Sequence, residues 1–368
     1  MRILDRYLLK EYVTAVLFCF TAFCLIYIVL DLFYYLSRFL DANTPPTIIA
    51  YYYLLWVLPF LEYLFPASLL FGALYTLWRM ARKNEIIAMR AGGVSLNRIM
   101  APFLGVAIVF ALTTMVVKEW TVPATREWHS NFLAARRHYD PEALVSRPVS
   151  FIYHAPAARM VWSIGQFDAN RPDILREVAI VETRENGTRK REIVAGEAQW
   201  LDGQWWLFGA SVQAYRDSPF HVPHGPPVLL PSAGVEMRDL PVEPQDIAVN
   251  AKPWAFLSTR EMLRRVALQS HVSSEDLARK RTDIHFRLAA PWACLVVTLF
   301  GIPVGSRSSR QNVLACLATA VACFVGYYAL LHVGVFLAGN GRMPPWLGAW
   351  MSNAVFAVAG MVLIRKAD

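Results

Sequence analysis

Asp31 and Glu62 are carboxylates set in or beside long apolar stretches. At membrane depth an ionisable side chain is costly and is a functional candidate by default, as a proton site or a polar contact for a ligand. Near the outer interface it can instead be hydrated. Arg38 ends the first apolar stretch, where an anionic headgroup would lie and where a long cationic side chain also snorkels. Tyr34, Tyr52 and Trp56, with Phe33, Tyr35, Tyr51 and Tyr53, could line a cavity for alkyl chains or form an interfacial aromatic belt. Arg38, Asp31, Tyr34, Tyr52, Trp56 and Glu62 are therefore the candidate lipid contacts. Other chemistry is poorly represented. His221-x-x-His224 has no third ligand at a convincing spacing, so no metal site is expected. There is no Gly-x-x-x-x-Gly-Lys-Ser/Thr loop to hold a nucleotide, and the scattered histidines announce no hydrolytic triad.

A second candidate site is the run Arg79 to Val94. Asn84 can cap a short helix, Glu85 favours its N-terminus, and Gly92-Gly93 can end it. Ile86 and Met89 share a face, with Ile87 beside them. So short a helix is marginal alone in water and needs a surface to dock on. That surface is either the lipid headgroups or a partner, with Glu85 pairing a basic residue there.

The elements that must position these residues follow from composition. Apolar residues make up 56% of the 368 and charged residues 17%, with a mean hydropathy of +0.34. These values point to a membrane protein. Apolar stretches long enough to cross about 30 Å of hydrocarbon run over 12–36, 48–78, 99–118, 284–304, 312–337 and 346–364. The second holds Pro59 and Pro66, so it should be kinked or enter as a short interfacial segment. The first is too long for a signal peptide and should remain as a span. Twelve Lys and Arg flank one set of span ends: Arg2, Arg6, Lys10, Arg79, Arg82, Lys83, Arg90, Arg98, Arg307, Arg310, Arg365 and Lys366. Only Arg38 and Arg342 lie on the opposite short loops. By the positive-inside bias both termini are cytoplasmic. This charge placement accounts for the net +8 without nucleic acid. Cys19, Cys24, Cys294, Cys316 and Cys323 all lie in apolar stretches and offer no disulfide framework.

The polar insert, about 123–283, should then lie outside, dividing the chain into 1–122, 123–283 and 284–368. Alternation at Met160, Trp162 and Ile164 and again over Ile174–Val181 suggests strands. Asn186-Gly187 and Asp202-Gly203 supply hairpin turns. A small sandwich or jelly-roll is expected. Residues 123–139 look helical, 218–231 with five prolines reads as a loop, and Ser258-Thr259-Arg260-Glu261 is a capping box opening a helix that bears Met262, Leu263 and Val266. A further helix from Ser273–Asp276 should run into the fourth span.

At this point the chain resembles a known family. Leu4-Asp5-Arg6-Tyr7, Phe65 to Leu74, Asn84 to Gly93, Glu119 to Pro123, Arg287 to Pro291 and Gly301 to Gly305 look like the LptF/LptG permeases of bacterial lipopolysaccharide export, the first of these leaning towards LptG. The resemblance implies six membrane helices with an inserted β-jelly-roll in the periplasm. It also implies a second LptF/LptG-type permease, a dimer of the LptB-like ATPase, LptC-like and LptA-like periplasmic proteins, and lipopolysaccharide as cargo. This chain would be a non-catalytic inner-membrane subunit binding no cofactor itself, with ATP and Mg bound by the ATPase. The family's coupling-helix glutamate falls on Glu85, and Arg82, Ile86, Ile87, Met89, Arg90 and Gly92 fall around it. The family's basic residues at the outer end of the first span fall near Arg38. The rival expectation, an ion-coupled secondary transporter using Asp31 or Glu62, calls for an internal repeat, and the second half has no match to Phe65–Gly93.

Overall fold

The computed structural model describes residues 3–41, 43–121, 123, 125, 150–155, 158–168, 171–218, 220, 222–231, 234–237, 240–268, 273–307 and 313–366. It divides into two compact units, Met1–Ser130 with Ser274–Asp368, and Asn131–Ser273. The expected helix over 123–139 and His221 lie largely or wholly outside the described residues.

In the first unit α1 runs from Ile3 to Asp41, α2 from Pro46 to Trp56, α3 from Leu61 to Arg82, α4 from Glu85 to Ala91 and α5 from Leu96 to Val116. The C-terminal part adds α8 (Ser274–Ala289), α9 (Ala293–Arg307), α10 (Val313–Gly339) and α11 (Pro345–Arg365). Among the described residues, six helical spans are long and apolar enough to cross a membrane. The proline signals acted as expected. Pro59 sits in a 3-10 turn, Leu58–Phe60, that separates α2 from α3, while Pro66 is absorbed within α3. Pro291 marks a second 3-10 turn, Ala290–Trp292, between α8 and α9.

The α3 helix is the axis of this unit. Leu69, Leu70, Ala73 and Leu77 are buried on more than one of its sides, and its neighbours include α1, α5, α9 and α10. Lipid is as apolar as leucine, so burial from water does not drive these contacts; close packing does. Gly334 of α10 and Gly348 of α11 let two backbones approach where a Cβ on either would strike the other's carbonyl.

The second unit carries β1 (Phe151–Ala155), β2 (Met160–Phe167), β3 (Ile174–Thr183), β4 (Arg189–Leu201), β5 (Gln204–Ala214), β6 (Val228–Leu229) and β7 (Val235–Met237). The described strands form one antiparallel sheet in sequential order, with β6 and β7 both on the far edge of β5. A row of irregularities crosses the sheet. Pairing skips Gly165, Glu177, Gly196 and Gly209, which would be successive partners across β2 to β5. Glu177 and Gly209 adopt positive φ, 54° and 58°. At each interruption the buried positions slip by one: Ile164 then Phe167, Leu175 then Val178, Ala195 then Ala198, Leu207 then Ala210. The register is the same on either side of the row, so the strands stay in step while the inward face of each is reset by one position. That face holds the fully buried Trp162 and Trp205, whose rings lie 5.6 Å apart. It is covered by Leu240, Val242 and Ile247, the last from α6 (Pro244–Ala251).

The two expected hairpins differ. Asp202-Gly203, both at positive φ, joins β4 to β5 as a tight two-residue turn. Asn186 has no positive φ; the loop is wider, closed by Arg184 N–H to Thr188 O at 2.8 Å, with the Asn186 side chain accepting from Thr188. The capping box is formed as expected: Glu261 N–H donates to Ser258 Oγ at 3.3 Å and Ser258 N–H to Glu261 Oε2 at 2.7 Å. It opens α7 (Thr259–Leu268), where Met262 is buried but Leu263 is 54% exposed.

Burial raises the Glu261 carboxyl's pKa, but the Ser258 N–H and hydroxyl and the Lys252 charge outweigh this and hold it below the usual range. A carboxyl depressed on folding stabilises above its unfolded pKa and loses that contribution as pH falls through the folded value. Ser258→Ala should cost about 1 kcal/mol, read as roughly fivefold faster amide exchange across α7. Wild-type protection should fall below about pH 4, and the variant should respond less there.

Candidate functional site

Polar contacts tie the first turns of α1 to the rest of the bundle at the end where α4 lies. Asp5 faces Arg98 of α5 at 3.7 Å. The Tyr7 hydroxyl donates to Glu85 Oε2 of α4 at 2.9 Å. Glu11 is paired with Arg79 of α3. Between them Leu8 and Tyr12 are fully buried.

The α4 helix itself is held at both ends by backbone geometry. Asn84 precedes it in the left-handed region, at φ 58°, and makes no side-chain cap. The expected capping hydrogen bond is therefore absent; Asn is suited here because it tolerates the sharp turn out of α3. At the other end Gly93 N–H reaches Arg90 O and Val94 N–H reaches Met89 O, at 2.9 and 3.0 Å. With Gly93 at φ 81°, this is a Schellman closure that fixes where the helix stops.

The faces of α4 are not divided as its apolar spacing suggests. Ile86 is buried in the bundle core, and Met89 packs against the same cluster. Ile87 is 61% exposed, beside exposed Ala88 and Arg90. Thus Ile86 and Met89 anchor the helix to its own protein, and Ile87 heads the face turned outward. Arg82 is exposed with its guanidinium 5.5 Å from the Trp78 ring, and Gly92 is the C-cap.

The candidate lipid contacts fall into three places. Asp31, Tyr52 and Trp56 come together: the Asp31 carboxylate lies against the Tyr53 hydroxyl and the Trp56 indole, and Tyr52 stacks on Trp56 at 6.2 Å. Tyr34, 73% exposed, packs edge-on to Tyr35. Arg38 lies over the same Tyr35 ring at 5.1 Å. Glu62 stands apart, buried and ion-paired with Lys118.

That pair belongs to a polar knot not foreseen from the chain. Lys118 lies in a π-helical turn, Val117–Thr121, which continues α5; its ammonium also lies 5.2 Å from the Phe286 ring. Arg287 donates to the Lys118 carbonyl at 2.6 Å, and Tyr328 donates to the Glu62 carbonyl at 2.9 Å. Glu62 and Arg287 are each about 9% exposed or less. A π turn misaligns carbonyls along its helix, and the Arg287 guanidinium satisfies one of them. The available sequence signal was a lysine closing one apolar stretch and an acid within another.

The architecture defines a multi-pass membrane protein with an antiparallel β unit inserted between its third and fourth spans. Residues 6–366 match the family model of the lipopolysaccharide export system permease LptF/LptG, and the chain belongs to that family of non-catalytic membrane subunits. It is 20% identical to the lipopolysaccharide export system permease protein LptF of Escherichia coli (strain K12), over 98% of this chain and 94% of that protein. To LptG of the same strain it is 31% identical over 23% of each chain, and to LptG of Haemophilus influenzae 31% identical over 18% of this chain and 19% of that protein. The whole-length likeness is thus to an LptF, although the first residues lean towards LptG.

Two outcomes follow from the burial. Ile86→Ala should lower the bundle's stability by roughly 2–4 kcal/mol, while Ile87→Ala should leave the thermal midpoint within about 0.5 kcal/mol of wild type. Glu62→Ala, which removes the ion-pair partner of a buried ammonium, should cost roughly 3–5 kcal/mol, and replacing Glu62 and Lys118 together by methionine should recover most of it. Thermal unfolding of the purified protein in one detergent measures all four.

Proposed function

We propose that this chain is one of two permeases that lift lipopolysaccharide from the outer leaflet of the bacterial inner membrane and pass it to a periplasmic bridge. The second permease is an LptF/LptG-type chain, and the bridge begins with LptC-like and LptA-like proteins. An LptB-like ATPase dimer binds ATP and Mg on the cytoplasmic side, where both termini lie. The observation that carries this reading is the two-sided α4. A seven-residue helix, stopped at a fixed point and anchored inward by Ile86, holds Ile87 and Arg90 outward for a partner to grip.

Force applied there passes to α3 through the backbone and to α1 through Tyr7. The α3 helix carries Arg79 and Arg82 near one end and Glu62 near the other. A helix is stiff along its length, so movement of α4 is transmitted to the far polar knot. Of the candidate lipid contacts, Arg38 and Tyr34 are the exposed ones and suit the phosphate and the acyl boundary of the lipid. Asp31, Tyr52 and Trp56 suit the wall that holds α1 to α2. The pairing of Glu62 with Lys118 suits a structural role for that acid, and ion-coupled secondary transport gains no support from family membership.

Glu85→Ala and Glu85→Arg should reduce lipid export by roughly tenfold or more, the usual cost of truncating one partner of an interfacial charge pair. ATP hydrolysis should then no longer respond to lipid. The measurement is lipid release and ATP turnover by the reconstituted assembly; coupling equal to wild type in both variants overturns the role given to α4.

A further inference from the structure

We propose that the groove between α1 and α5 is a binding site for one anionic glycerophospholipid of the leaflet on the α4 side. This stands apart from the export reading and uses none of the candidate cargo contacts. The groove encloses about 620 Å³. Leu9 and Val13 of α1 form one wall, and Val106, Val109 and Phe110 of α5 the other. Asp5 and Arg98 stand together at one end, and the remainder of the groove is apolar. From Arg98 to Phe110 is twelve residues of α5, or about 18 Å of helix rise. That is slightly more than half of a hydrocarbon core of about 30 Å. The groove therefore has the length and polarity profile of one leaflet: a charged mouth at the interface and an alkyl slot reaching the midplane.

The occupant is decided at the mouth. Apolar walls gain little from an acyl chain that is already in lipid, so selectivity must come from the headgroup. Arg98 is about one-third exposed and its contact with Asp5, at 3.7 Å, is beyond hydrogen-bonding distance. Its guanidinium retains donors for a phosphate. Arg6 and Lys10, both exposed, follow Asp5 and Leu9 directly on α1. Arg98 at the mouth, with exposed Arg6 and Lys10 on the same turns of α1, favours a phosphodiester over a zwitterion. Pro102 adds a further preference. It lies within α5 and has no N–H, so it cannot supply the helical hydrogen bond to the Arg98 carbonyl four residues earlier. A headgroup carrying hydroxyl donors beside its phosphate, as in phosphatidylglycerol, answers both the guanidinium and that carbonyl. The slot's floor is open at Gly105, where a Cβ would meet nothing within 4 Å.

Gly105→Leu projects a side chain into the slot from a position where a Cβ meets nothing within 4 Å. The full-length protein, purified with the subunits that accompany it, is reconstituted into vesicles of phosphatidylethanolamine and phosphatidylglycerol. It is then re-extracted, and retained phospholipid is counted by native mass spectrometry. Wild type should keep phosphatidylglycerol in preference. Arg98→Gln should reduce that preference about fivefold, the worth of one basic residue at the interface, and Arg98→Lys should restore most of it. Gly105→Leu should lose the retained lipid while leaving the thermal midpoint unchanged. A photo-crosslinker at Val109 should capture lipid. Unchanged retention in both Arg98→Gln and Gly105→Leu overturns the proposal, as does capture of a protein helix at Val109.

Discussion

A hydrocarbon solvent withdraws the driving force that holds a soluble core together, and it penalises each charge left without a partner. The Glu62–Lys118 pair meets that constraint at one end of α3, and the Glu11–Arg79 pair meets it at the other. Between them the helix is almost entirely enclosed by apolar neighbours. The two pairs differ in consequence. Glu62 and Lys118 are both nearly buried, so removing either takes the ion-pair partner from the other in a water-poor place. Glu11 and Arg79 are about one-quarter to one-third exposed, and water can screen a break there. One end of α3 is thus fixed firmly and the other can adjust at lower cost.

The adjustable end is the one that bears α4. Its contacts with α1 include a loose ion pair, a neutral-donor hydrogen bond and a partly exposed salt bridge. Each is worth only about a kilocalorie per mole or so. Such contacts can exchange in the course of a cycle without unfolding the bundle. The Schellman closure after α4 and the burial of Ile86 keep the helix itself intact while they do.

Spans were legible because twenty consecutive apolar residues leave few alternatives, and the break at Pro59 because proline has no N–H to continue the helical ladder. The Asp202-Gly203 hairpin was legible from its local chemistry. What could not be read depended on distant partners. Tyr7 and Glu85 are 78 residues apart in the chain, and nothing in either neighbourhood names the other. The row at Gly165, Glu177, Gly196 and Gly209 was hidden for a different reason. In each strand alone it appears as a fault in alternation, and it becomes a continuous row only when four faults align across the sheet. The spacing of Ile86 and Met89 was noticed, yet an apolar face on a short helix says only that it docks. It does not say whether the surface belongs to the same protein or another.

That last ambiguity is where structure changes the functional argument most. Had Ile86 and Met89 faced outward, α4 would depend on its partner for its fold, and its loss on detachment would decouple it from α3. Buried inward, the same residues make α4 a permanent part of the bundle. A helix this short gains its stability from that burial rather than from its own hydrogen bonds. The outward face is then free to be small: Ile87, Ala88 and Arg90 need only be gripped, not folded. A partner that pushes on a preformed knob spends no energy ordering it, so the work of the stroke reaches α3 and, through α3, the buried pair at its far end.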